Sequence, residues 1–140
     1  MEIADVKRQV HETIERARRH AAGRRAANDD ASRAFDEFLE VRAVPLFRQI
    51  ANVLKVENYH FTVFTPSRSV RLMSDRNADD YLEVGLDTSG TSPRVTLHVS
   101  RSRGSRVIDE EKQIPGNPAA ITDEELLAVV LKELEPFVER

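Results

Sequence analysis

YLEVGLDTSGTSPRVTLHVS, residues 81–100, holds two runs in which apolar and polar residues alternate. Leu82, Val84 and Leu86 fall on one side of the first run, and Val95, Leu97 and Val99 on one side of the second. That is the period of two of half-buried β-strands. A reversal between Gly90 and Thr91 sets Leu82 against Val99, Val84 against Leu97 and Leu86 against Val95, with Glu83 opposite His98 and Asp87 opposite Arg94 on the other face. A slip of one residue turns every apolar side chain of a strand to the wrong face, so the pattern fixes the register.

Working outward, residues 59–65 and 69–73 repeat the alternation on either side of Pro66-Ser67. A reversal there pairs Phe61 with Leu72 and Val63 with Val70 inside, and Thr62 with Arg71 outside. A second reversal centred on Asn77 brings Val70 to Val84, Leu72 to Leu82 and Arg71 to Glu83. Consecutive strands joined by short polar turns pair with one another, which predicts an antiparallel meander. A further strand is expected over about residues 106–114, after the turn at Arg103-Gly104-Ser105, but its apolar residues are too few to set a register.

Helical periodicity flanks the strands. Thr122-Asp123-Glu124-Glu125 has the spacing of a capping box, with acids at the positive end of the helix dipole. Leu126, Leu127, Val130, Leu131, Leu134, Phe137 and Val138 follow as an apolar stripe, and Pro136 is expected to end or bend its last turn. Before the strands, residues 31–56 carry a broad stripe that includes Phe35, Phe38, Leu39, Phe47 and Ile50. Pro45 falls inside that stripe and lacks a backbone donor, so two segments meeting near Val44 are expected. Residues 2–22 hold a narrower stripe of Ile3, Val6, Val10, Ile14, Ala17 and Ala21 on a charged helix, with Glu12–Arg16 and Glu15–Arg19 in the favoured i,i+4 order. The best break lies at residues 23–30 (GRRAANDD), where Asn28, Asp29 or Asp30 can cap a new helix.

The expectation is a two-layer α+β domain over residues 29–140, with an N-terminal amphipathic arm over residues 1–28. Its antiparallel meander has four to five strands, one face of which is covered by the preceding helix, kinked near Pro45, and by the C-terminal helix.

At 140 residues and 40% hydrophobic content, one such domain accounts for the core. The net charge of −3 gives no global bias towards nucleic acid, yet the ends differ in sign: residues 1–28 carry 7 basic and 4 acidic side chains, and residues 109–140 carry 3 and 9. Without cysteine there is no disulfide framework, thiolate nucleophile or Cys-ligated metal. The opening residues lack the pattern of a secretory leader, and no apolar run approaches the roughly 18 residues of a membrane span. A cytoplasmic protein with no membrane contact is the expectation.

His11, His20, His60 and His98 have no metal-ligand spacing, and no phosphate-binding glycine loop or nucleophile motif occurs, so no cofactor or metal is expected. The outer sheet face collects Thr62, Phe64, Arg71, Met73, Tyr81, Glu83 and His98, a mixed apolar and charged surface of the kind that suits a partner. Three functional readings follow. The leading one is a non-enzymatic protein-interaction module, a homodimer or a binder of another protein, using that face or the arm residues Ile3, Val6, Val10 and Ile14. The alternative is a nucleic-acid accessory protein that contacts phosphates through Arg101, Arg103 and Arg106 at a hairpin tip. The third is an enzyme or ligand binder with Glu83 and His98 exchanging a proton beside Arg71, although cross-strand ladders of this kind are commonly solvated sheet surface.

Overall fold

A computed structural model of the chain describes residues 1–139. Helix α1 (Ile3–Phe38) runs through a π-helical turn (Leu39–Ala43) into α2 (Val44–Val56). Five strands follow, β1 (Phe61–Phe64), β2 (Val70–Ser74), β3 (Tyr81–Asp87), β4 (Arg94–Arg103) and β5 (Arg106–Ile114). A short 3-10 turn (Pro118–Ala120) leads to α3 (Asp123–Val138). The strands form one antiparallel sheet in the order β1-β2-β3-β4-β5. The fold is α+β, as the alternation of residues 81–100 requires.

The central registers are those read from the sequence. Val84 lies between Val70 and Leu97, and Glu83 between Arg71 and His98. The β1–β2 register is displaced by two residues from expectation: Phe61 faces Ser74, Val63 faces Leu72, and Phe64 rather than Thr62 faces Arg71. The turn explains it. Ser69 N–H donates to the Pro66 carbonyl at 3.1 Å, so Ser67 and Arg68 form the corner instead of Pro66 and Ser67. Arg68 takes a left-handed φ of 53°, a conformation more usual for Gly or Asn and invisible in the residue type. A shift of two residues keeps each side chain on its face, so Phe61 and Val63 still point inward.

All three helical segments lie on the same side of the sheet and share one core with it. Phe38, Ile50, Val84, Leu97, Val130 and Leu134 are buried together, with Phe35, Phe47 and Leu126. The line Phe35, Leu39, Ala43, Phe47 advances by steps of four, and every member is buried. Each such step overshoots a 3.6-residue turn by about 40°, so a regular helix would carry the line off the sheet. The π turn takes up the excess. It sits where Pro45 has no N–H for the Val41 carbonyl, and Val44 N–H reaches back to the Leu39 carbonyl. The expected kink near Pro45 is thus a widened turn within a continuous helical rod.

The other expected break is absent. Helix α1 passes through residues 23–30 without interruption, and a Cβ added at Gly23 would meet nothing within 4 Å. At roughly 1.5 Å per residue the helix is about 54 Å long. None of residues 1–27 is buried. At the other end, the Thr122 hydroxyl accepts from Glu125 N–H at 3.1 Å, which caps α3 as the sequence predicts. Pro136 is accommodated inside α3, which continues to Val138.

Because Leu97 is fully buried at the centre of the sheet, Leu97→Ala is expected to lower stability by about 2–5 kcal/mol in a chemical melt. A loss below about 0.5 kcal/mol would place that side chain at the surface.

Candidate functional site

The outer face of the sheet is left uncovered by the helices. Phe64, Arg71, Glu83, His98 and Glu111 form one row across all five strands, and Thr62, Met73, Tyr81, Ser100 and Asp109 form the next. Thr62 therefore leaves the row of Arg71, where the sequence placed it, and its hydroxyl donates to Asp75 at 2.5 Å. Gly85 and Thr96 continue the face as cross-strand partners.

Several polar groups of this face are engaged with one another. Arg71 Nε donates to Glu83 Oε1 at 2.8 Å, and its guanidinium lies 4.0 Å from the centre of the Tyr81 ring. The Tyr81 and His98 rings are 5.6 Å apart, and His98 Nε2 lies 2.9 Å from Asp109 Oδ1. Glu83 and His98 are neighbours in register, yet each has its hydrogen bond elsewhere. Ser100 donates to the Asp79 carbonyl at 2.6 Å. Among the described residues no group of three His, Asp or Glu side chains is placed to hold a metal.

At one corner, where β3 and β4 outrun β2, an open cleft of about 560 Å³ joins this face to α1. Ser32 and Asp36 of α1, Arg68 of the turn, and Gly85, Thr96 and His98 of the sheet contribute to its walls. Arg68 and Asp36 approach to 3.8 Å across it. No motif announces these residues, because they come from four separate elements.

At the rim of the same cleft, Asp87 Oδ1 accepts from both the Ser89 hydroxyl and N–H, and its Oδ2 accepts from Arg94 at 2.6 Å. The Ser89 hydroxyl first, then Arg94, hold this carboxyl well below the usual range, and Arg94 is raised in turn by Asp87. On the opposite, helix-covered side, Lys112 is raised chiefly by its 2.7 Å bond to Glu133 of α3.

The tip of the β4–β5 hairpin carries Arg101, Arg103 and Arg106, the residues of the phosphate reading. Arg101 continues the inward side of Val99, and Arg103 and Arg106 are cross-strand partners on that same side. An open depression there is bounded by Arg101, Arg103, Pro136 and Glu139, so these charges lie beside the C-terminal end of α3. Cations at a helix C-terminus complement its dipole.

The arm carries one run of exposed apolar residues; Val41, Val53, Val56, Val107 and Leu131 are exposed elsewhere on the surface. Ile3 is 85% exposed, and Val6, Val10 and Ile14 are 44%, 51% and 43% exposed. Its ion pairs are Arg8–Asp5 at 3.3 Å and His11–Glu15 at 3.9 Å rather than the expected Glu12–Arg16 and Glu15–Arg19. No described helix is long and apolar enough to cross a membrane. Compared with models of known protein families, with curated proteins and with solved structures, the chain has no match.

The Asp87 cluster gives a direct test of the local electrostatics. A depressed carboxyl adds stability above its unfolded value near 3.9, and that contribution is lost as the pH falls below it. In an NMR titration the Asp87 carboxyl should stay ionised to a pH below the usual carboxylate range, and Ser89→Ala and Arg94→Ala should each raise its midpoint. A midpoint in the ordinary range would remove the cluster from the structure's account.

Proposed function

We propose that the protein is a small cytoplasmic, non-enzymatic interaction module that self-associates through its N-terminal helical arm. The observation that carries this reading is the exposed stripe of Ile3, Val6, Val10 and Ile14 on a helix continuous with the core. The cytoplasmic placement rests on the sequence expectation above.

Other routes to a dimer are less favoured. β5 is a long free edge, but it carries Asp109, Glu110, Glu111 and Lys112, and charged edges oppose pairing with another strand. β1, the other edge, has only four residues. The mutual pairing of Arg71, Glu83, His98 and Asp109 supports reading the outer face as satisfied sheet surface, with no acid and base held ready for substrate. The position of Arg101 and Arg103 beside α3 likewise supports a structural role over phosphate contact.

Burying a large aliphatic side chain fully is worth about 1.5–3 kcal/mol. Scaled by the exposures above, two arms recover roughly 7–14 kcal/mol against an association cost of roughly 4–15 kcal/mol. The dimer is therefore expected to be weak and concentration-dependent.

In light scattering across a concentration series, the chain should move from monomer to dimer mass. Val10→Glu with Ile14→Glu should hold it monomeric while leaving the melting midpoint within a few degrees, because neither side chain is buried. A full-length chain that stays monomeric at the highest concentrations would defeat the reading. A variant that unfolds would assign the arm to the domain's own core.

A further inference from the structure

We infer that the two arms pair antiparallel, with the partner a second copy whose arm lies along the stripe and crosses it near residues 12–14; this rests on the self-association proposed above. Three features of α1 lead there.

The first is where the stripe points. At about 100° per residue, Ile3, Val6, Val10, Ile14, Ala17 and Ala21 all fall within about 60° of Phe35 on the helix circumference. Phe35 is 1% exposed and packed into the core. The stripe is therefore on the side of the rod that carries the globular body. A partner helix on that side packs at about 8–10 Å. In a parallel pair both bodies would lie between the two rods at the same level, where each partner's helix must also run. In an antiparallel pair each arm meets only the other arm, and the overlap of about 25 residues ends where Asn28 and Ala31 become half-buried.

The second is charge. Residues 2–15 carry Glu2, Asp5, Glu12 and Glu15 against Lys7 and Arg8, whereas residues 16–25 carry Arg16, Arg18, Arg19, Arg24 and Arg25 with no acid. None of these five arginines makes an ion pair among the described residues, for the arm's pairs are Arg8–Asp5 and His11–Glu15. Parallel pairing sets arginine block against arginine block. Antiparallel pairing sets it against the acidic half, and interactions at this range are shorter than the screening length of about 8 Å in physiological salt.

The third is size. The large residues Ile3, Val6 and Val10 occupy the first half of the stripe, and Ala17 and Ala21 the second. Reversing one arm opposes large to small along the seam, which keeps the two axes evenly spaced.

The absence of cysteine makes the test clean, since a single introduced thiol is the only labelling site. Full-length Glu2→Cys, carrying a nitroxide, would be measured by double electron–electron resonance at concentrations where light scattering reads dimer. An antiparallel pair puts the two labels about 30 Å or more apart, from twice the roughly 11-residue offset at about 1.5 Å per residue. A parallel pair puts them within about 20 Å, little more than one interaxial spacing plus the linkers. A dimer with the short distance overturns this inference and leaves self-association standing. A chain that never reaches dimer mass overturns both.

Discussion

Everything in the domain depends on one sheet face being kept dry. Leu82, Val84, Val95 and Leu97 are wholly buried, and the residues between them on the same strands face the other way. In this chain helices supply the cover, and they must present apolar residues over a length matching the sheet. Helix α3 does so with a capped, regular run. The rod formed by α1 and α2 does so only because it widens once, at Leu39–Ala43, to keep Phe35 and Phe47 on one line.

The opposite face follows from the same alternation. Many of its side chains are polar, and they pair across strands: Arg71 with Glu83, Asp87 with Arg94, and His98 with Asp109. Pairs this exposed contribute little stability each. Their effect is to leave many polar groups of the sheet surface partnered within the chain, while the arm exposes Ile3, Val6, Val10 and Ile14 in one stripe.

Legibility in the sequence tracked the strength of the burial pattern. The β2–β3–β4 registers were readable because each strand buries every second residue. The β1–β2 register was misread by two residues, since a left-handed Arg68 sets the turn and no residue-type signal marks it. Residues 23–30 read as a break because Gly23 and the Asn28-Asp29-Asp30 run favour caps, yet helix context on both sides overrode that preference. The pairing of His98 with Asp109 in place of Glu83 was out of reach, because β5 has too few inward apolar residues to fix its register. The corner cleft was illegible for a different cause: its walls are brought together only by the length mismatch between β2 and β3.

The unbroken helix also sets a rule for how this chain can change length. Since the arm is the same rod as the buried Phe35, its azimuth is inherited from the core, and one residue gained or lost between Ala21 and Phe35 turns everything upstream by about 100°. Insertions or deletions of seven or eleven residues turn it by only about 20°. The arm is thus phase-locked to the domain, and its variation among related chains should come in steps of about seven or eleven residues or their sum.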